Sequence, residues 1–250
     1  MDLIGLAFNY LISVFLGVSL DSLYSKYFTA DKNIQENLHN QEFNYHLDIF
    51  DFIVVGGGTA GCVVANRLSG HNFKVLLLEA GGNPFPLTLV PSMAPRLLQN
   101  SNIDWAFPSV PQKNAFKSST NNSYTISQGD DGWKYENLLP FFKSIESYHG
   151  YFDKHFLHGQ EGPIHIETPK YFPMRQEWLE AGIELGLKVK DPNGYQNKSV
   201  FPIDTSTKRG RKFSTHRGYL YPILDRPNLK VITYAQVQKI NFNDQNKAVS

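Results

Sequence analysis

Three glycines, Gly56, Gly58 and Gly61, stand in the spacing G-x-G-x-x-G, and an acid, Glu79, follows eighteen residues beyond the last of them. In a glycine turn of this spacing the first glycine permits the tight turn, the second lets backbone approach a pyrophosphate, and the third lets helix pack on strand. A carboxylate at that remove accepts hydrogen bonds from ribose hydroxyls and repels a 2′-phosphate. Together these residues read as a holder for an adenosine diphosphate group. The competing reading is a glycine turn of any α/β fold. What separates the two is the set of elements around the turn.

Those elements have the required order. Ile49 to Val55 is a short, almost wholly apolar run, the pattern of a parallel strand covered on both faces. From Thr59 to Leu68 the apolar residues Ala60, Val63, Val64 and Leu68 recur at helical spacing, so a helix N-terminus faces the turn, where an anion belongs. Lys74 to Leu78 then reads as a second strand that closes on Glu79. The candidate cofactor-binding set is therefore Gly56, Gly57, Gly58, Thr59, Ala60, Gly61, Glu79 and Ala80.

Other chemistries are poorly supplied. No H-E-x-x-H, C-x-x-C or G-x-S-x-G occurs, so neither a metal site nor serine chemistry is implied. No tyrosine is followed four positions on by lysine, which argues against a short NAD-dependent dehydrogenase, a class that shares the glycine spacing and the acid. The single cysteine, Cys62, cannot form an internal disulfide and reads as a small packing residue in the first turn of the helix. His71, His149, His155, His158, His165 and His216 read as loop or packing residues.

The whole chain has 250 residues, 41% hydrophobic and 14% aromatic, which is globular composition with room for one large domain or two small ones. A net charge of +1 argues against a general polyanion binder, and Lys208-Arg209-Gly210-Arg211-Lys212, the one basic cluster, is short. Nucleic acid is not an expected partner. Leu3 to Leu20 is apolar apart from Asn9 and serines, and reads as a signal peptide or an anchor over residues 1–21, with cleavage the favoured outcome. Membrane association follows only from the uncleaved form. Two N-x-S/T triplets, at Asn121 and Asn197, suit a secreted, extracellular protein.

Between these features the chain divides by composition. Residues 22–47 read as a linker, 48–112 as the first part of the nucleotide domain, and 113–131 as a polar loop. Helices are expected over Tyr135 to Tyr148, starting late because of Pro140, and over Pro173 to Gly186, with Trp178, Ala181, Gly182 and Leu185 facing a core. Phe213 to Leu220 reads as helix-like, and Asn228 to Thr233 and Gln236 to Phe242 as strands.

Taken in order, several blocks resemble the N-terminal part of the glucose-methanol-choline (GMC) oxidoreductases, most closely the insect glucose dehydrogenase group. They are Asp51 through Gly61 with Leu78 to Gly82, Asn102 to Trp105 with Val110-Pro111-Gln112, Gly132-Trp133 with Leu138 to Lys143, His158-Gly159 with Gly162-Pro163, and Arg209-Gly210-Arg211 through Arg226-Pro227-Asn228-Leu229. The resemblance runs from about Ile49 to the end. It implies FAD as cofactor, with Gly56, Gly58 and Gly61 at the pyrophosphate, Glu79 at the adenosine ribose and the backbone of Val237 at the adenine. The implied fold is α/β, a Rossmann-like doubly wound FAD-binding domain made of residues 48–112 and 204–250. An α+β substrate domain, incomplete here, is interleaved at residues 132–203. The implied reaction is hydride transfer from an alcohol to flavin N5, a histidine taking the hydroxyl proton and a quinone or oxygen reoxidising the flavin.

Two departures qualify the implied activity. The family's G-x-x-L-G-G-S-S-x-x-N run belongs between Gln112 and Gly132, where nothing resembling it occurs. No histidine of this sequence matches the family's C-terminal catalytic one, so no catalytic residue is assigned. Missing blocks would leave sheet edges unpaired and apolar faces uncovered, so association through those edges is expected. The expectation is an FAD-dependent oxidoreductase by descent in an incomplete chain without turnover of its own. The alternative is a non-catalytic secreted remnant that retains FAD or adenine-nucleotide binding.

Overall fold

The computed structural model describes residues 22–37, 49–93, 97, 103–104, 135–152, 157–194, 198–245 and 247–249. The expected signal or anchor, the polar loop at 113–131, Asn121, Asn197 and His155 lie outside the described residues. The chain forms two compact units, one of residues 1–87 with 219–250 and one of residues 88–218. The chain leaves the first unit after residue 87 and later comes back to it. The return comes at Tyr219, so residues 204–218 lie with the second unit.

The first unit opens with helix α1 over residues 22–37, a segment that reads as a linker in the sequence. Strand β1 (Phe52–Val55), helix α2 (Thr59–Gly70) and strand β2 (Val75–Leu78) then follow in the expected order. After the second unit the chain returns with strand β9 (Leu229–Ile232), which lies parallel to β2, so the sheet has the order β1-β2-β9. The α/β expectation holds.

The central strand is β2, where Val75, Leu76 and Leu77 are all buried. Strand β1 differs from the two-sided burial its apolar run implies: Ile53 is 56% and Val55 53% exposed, and only Val54 is buried. Its edge position explains this, because among the described residues β2 alone pairs with it. The buried stripe of α2 also differs from the expected one. It consists of Cys62, Ala65 and Ser69, while Ala60 and Val64 are exposed. Small side chains lie at this contact, while Val63 and Leu68 are half-buried and Val64 is turned outward.

The far end of α2 is tied to the returning chain. Arg226 Nη1 donates to Asn66 O at 2.9 Å and to Ser69 Oγ at 2.8 Å. Asn228 Nδ2 donates to Ser69 O at 2.9 Å and to Phe73 O at 2.8 Å. A cation and an amide thus satisfy carbonyls at the negative end of the helix dipole. The segment Gln236 to Phe242 is not one strand: only Asn241–Phe242 (β10) pairs, antiparallel with Ala248–Val249 (β11).

The second unit is built from short pairs. Helix α3 (Tyr135–Ile145) carries Pro140 inside it rather than starting after it, and gives way to β3 (Glu146–His149). Strand β4 (Ile164–Glu167) lies parallel to β3. Helix α4 (Arg175–Glu184) ends with Gly186 in the left-handed region, φ 79°. Strands β5 (Lys188–Val189) and β6 (Ser199–Val200) pair in parallel, and β7 (Thr207–Lys208) and β8 (Arg211–Lys212) form a hairpin. A π-helical turn at His216–Leu220 stands where the helix-like stretch was expected. On α4 the buried residues are Leu179 and Gly182, whereas Trp178 is 69% exposed, a correction to the expected core face. The cause is steric. Gly182 lies so close to Val200 of β6 that a Cβ there would meet the valine side chain at 2.8 Å, which fixes the inward face and turns Trp178 away.

Candidate functional site: the glycine turn and its acid

The carboxyl ends of β1 and β2 place the turn and the acid side by side. Gly56 N–H donates to Leu78 O at 2.7 Å, which carries the β1–β2 ladder one step past the strands. Gly56 has φ 93°, a conformation that glycine adopts without strain. At Gly61 a Cβ would be driven into the Gly56 carbonyl oxygen, so the turn and the first turn of α2 fit together only with hydrogen at that position. The third glycine therefore serves close packing, as the spacing implies.

Gly58 answers a different need. It is the N-cap of α2, with φ −73°, and a Cβ added to it meets nothing within 4 Å. Nothing among the described residues demands glycine there. The first turn of α2 holds no acidic residue, and the cap makes no side-chain hydrogen bond, so the positive end of the helix dipole lies open beside Thr59 and Ala60, both exposed. Cys62 is fully buried just behind the turn, and its Sγ donates to Gly57 O at 3.0 Å, in keeping with a packing role.

Glu79 fixes the loop from the other side. Its carboxylate accepts a short hydrogen bond from Gly57 N–H and one of 2.7 Å from Gly81 N–H. An ionised carboxylate has about four acceptor positions, so each oxygen keeps capacity for a ligand hydroxyl. Glu79 N–H donates to Ile232 O, and Ala235 N–H to Glu79 O, both at 2.8 Å, so the acid is locked between β2 and the turn after β9. The residue after β9, Thr233, has a buried Oγ1 with no partner among the described residues. Val237, half-buried, follows two residues past Ala235 without regular structure.

These residues fit a diphosphate flanked by a ribose. The turn offers an unfilled cradle at Gly58, an uncapped helix start, a carboxylate with spare acceptor positions and an orphaned hydroxyl close in sequence to its backbone partners. The structure brings Gly56, Gly57, Gly58, Thr59, Ala60 and Gly61 on one segment against Glu79 and Ala80 on another, joined through Gly56 N–H to Leu78 O and Gly57 N–H to Glu79; it adds Thr233, which the sequence reading missed. A lone threonine after a strand carries no spacing signal.

The second unit holds a different arrangement. His158, 3% exposed, has Nδ1 at 3.1 Å from both Glu146 carboxylate oxygens and Nε2 at 2.7 Å from Asp191 Oδ2. Its ring stacks on Tyr148, centroids 3.5 Å apart, and the Tyr148 hydroxyl donates to Asp204 Oδ2. Burial, with the Asp204 hydrogen bond, pushes the Tyr148 phenol well above its ordinary range, so it stays a donor. His165 stands edge-on to His149 at 4.2 Å, and burial, then His149, hold its pKa below the usual imidazole value. His216 is likewise lowered, by burial and then by Arg217. A cavity of about 710 Å³ in this unit has aromatic and aliphatic walls including Phe172, Met174, Trp178, Phe201 and Ile203. Among the described residues no cluster of histidine, cysteine or carboxylates could hold a metal ion, and no helix is long and apolar enough to cross a membrane.

Comparison with known proteins adds a second line. Residues 50–250 match the family described as GMC oxidoreductase. Among curated relatives, the oxygen-dependent choline dehydrogenase of Staphylococcus saprophyticus is 32% identical over 225 residues, covering 77% of this chain and 40% of the relative. That of Pseudomonas entomophila is 34% identical over 228 residues, covering 78% and 40%. Among solved structures, pyridoxine 4-oxidase from Mesorbium loti superposes with a TM-score of 0.60 at 24% identity, over 78% of this chain and 44% of that one. Formate oxidase of Aspergillus oryzae RIB40 superposes with 0.61 at 24%, over 78% and 40%. The solved structures establish the fold. The chain spans about 40% of the length of the curated relatives it matches.

Proposed function

The chain belongs to the GMC oxidoreductase family, whose cofactor is FAD, and on that premise we propose that its first unit holds the adenosine diphosphate half of FAD for oxidation of a CH–OH donor. The observation that carries the reading is the contrast between Gly61, where a Cβ has no room, and Gly58, where it meets open space beside an uncapped helix start. The N–H groups of the Gly58–Gly61 turn bind the pyrophosphate, and the dipole of α2 favours its charge. Glu79 accepts from the ribose hydroxyls while Gly57 and Gly81 hold its carboxylate still. Thr233 Oγ1, buried and unpartnered among the described residues, bonds to the ligand. Val237 backbone meets the adenine. FAD, when bound, supplies the flavin that takes hydride from the alcohol carbon.

The donor is a small-molecule alcohol, in a glucose dehydrogenase-like or choline dehydrogenase-like role, and the acceptor is a quinone or oxygen. The relatives' printed names support an alcohol and oxygen. Secretion is proposed from the apolar N-terminal run and the sequons.

A second reading is adenine-nucleotide binding without turnover by this chain alone. One observation favours it: His71, the only described histidine of the first unit, sits at the C-cap of α2, the end opposite the glycine turn. The exposed apolar edge of β1 makes self-association part of that reading. Purified chain from a secretory host, recorded in the visible range and then titrated with alcohols under a dye acceptor, separates the two. Oxidised-flavin bands with dye reduction support the oxidoreductase, bands without reduction support the binding protein, and a colourless protein that takes up no added FAD removes both.

A further inference from the structure

Helix α1 lies outside the residues that match the family, which begin at residue 50, yet it is bound into the nucleotide unit. Its aromatic residues recur at helical spacing and close on one side chain, Phe85. Tyr24, Tyr27 and Phe28 have ring centroids 4.5, 4.9 and 5.7 Å from that of Phe85. Tyr24 and Phe85 are each only 3% exposed. One helical turn further on, Asp31 takes up the polar contacts. Its Oδ2 accepts from Asn83 N–H at 3.0 Å and from the Tyr234 hydroxyl at 2.7 Å, and its Oδ1 from Asn83 Nδ2 at 2.9 Å.

Tyr234 leads on to the acid of the nucleotide site, and Asn83 follows Gly81 by two residues. Tyr234 has φ 56°, a left-handed conformation that is costly for an aromatic residue and persists only when its surroundings hold it. Its hydroxyl lies over Gly82, where any Cβ would collide with it, and its N–H donates to Gly81 O at 3.0 Å. Burial, with the Asp31 hydrogen bond, raises the Tyr234 phenol well above its ordinary range, so it remains the donor. Gly81 N–H in turn holds Glu79 Oε1, and Glu79 Oε2 holds Gly57 N–H in the glycine turn. A continuous chain of hydrogen bonds therefore runs from Asp31 to the pyrophosphate loop.

We propose that helix α1 is a clamp on the nucleotide site and that Asp31 is a positioning residue for Glu79, setting affinity for the adenosine diphosphate end of the cofactor. This rests on the FAD reading above. Asp31 acts through its neighbours: it holds Asn83 and the strained Tyr234 in the arrangement that presents the Glu79 carboxylate to a ribose.

The test uses the full chain, with ADP and FAD as probes and riboflavin as the control that lacks a diphosphate. Asp31→Asn removes the charge and keeps the shape. It should weaken ADP and FAD binding about tenfold, the loss expected for a charge-assisted hydrogen bond, and leave riboflavin binding unchanged. Tyr234→Phe should act in the same direction by a smaller factor. Hydrogen exchange at the Gly81 and Asn83 amides should quicken in Asp31→Asn while exchange in β2 does not, which a mere loss of global stability would not produce. ADP affinity at the parental level in Asp31→Asn, or equal losses for ADP and riboflavin, overturns the clamp. Failure of the parental chain to bind ADP or FAD overturns the FAD reading instead, and the exchange measurement then decides the coupling: unaltered Gly81 and Asn83 exchange overturns it, and quickened exchange supports it.

Discussion

The two units settle their buried polar groups by different means. In the first, the main chain does most of the work: β2 sits between two parallel partners, the ladder runs on through Gly56 and Glu79, and the buried stripe of α2 is made of small residues. In the second, the strands form only separate two-stranded pairs, and side chains staple them. His158 ties Glu146 on β3 to Asp191, Tyr148 and Thr168 both donate to Asp204, and Glu167 gathers Thr207, Arg209 and Gly210 at the β7–β8 hairpin. A backbone ladder tolerates side-chain changes and punishes loss of backbone space. A side-chain staple does the reverse.

The sharpest test of that contrast is at the glycines. Gly61→Ala should destabilise the first unit by about 3 kcal/mol or abolish its folding, because the group in the way is a carbonyl of the same tight turn and cannot give. Denaturant unfolding measures it. Gly58→Ala, by contrast, should leave stability within about 0.5 kcal/mol, being surface and unobstructed, while lowering FAD affinity. Equal stability losses at the two positions would break the comparison.

In the second unit the largest effect should come from a side chain. His158→Ala removes the group between two largely buried carboxylates and should cost about 3 kcal/mol, the range seen when one partner of a buried pair is deleted. Hydrogen exchange should quicken across β3 and β4 while β2 keeps its protection. If β2 loses protection equally, the two units do not unfold separately.

Acid should distinguish the units as well. Burial acts to raise the Glu167 carboxyl, but hydrogen bonds from Gly210, Thr207 and Arg209 outweigh it and hold it below its ordinary value. His165 and His216 are lowered too, chiefly by burial. For all three the unfolded chain binds protons more readily than the folded one. Their contribution is therefore complete above the unfolded values, about pH 6.5 for histidine and about pH 4.3 for glutamate, and is lost as pH falls through the folded ones. Among the described residues of the first unit the shifted groups are Tyr27, Tyr219 and Tyr234, all raised mainly by burial, so their contribution is complete below about pH 10 and is lost as pH rises. Between pH 7 and 5, exchange should quicken in the second unit before the first. The smallest effect is expected at Trp178→Gln, within about 0.5 kcal/mol, because the side chain is exposed rather than part of the core.

Legibility followed range. The strand, glycine turn, helix and second strand were legible because each is set by nearest neighbours in sequence and by a spacing with one steric solution. Cys62 behind the turn was legible for the same reason. Helix α1 was not, although Tyr24, Tyr27, Phe28 and Asp31 carry helical spacing, because the polar residues from Asp31 to Tyr45 dominate that stretch and its target, Phe85, lies far along the chain. Trp178 was misplaced because periodicity identifies a helix but not which face meets Val200.

By itself the sequence determined the family, the parallel α/β unit and the glycine turn with its acid, since those follow from local backbone geometry. Only the tertiary structure decided that, among the described residues, β1 is a sheet edge and the Thr233 hydroxyl has no partner, that α1 belongs to the nucleotide unit through Asp31, and that His158 is a staple. Each of these depends on residues distant in sequence meeting at hydrogen-bond or van der Waals distance, and no local pattern encodes such a meeting.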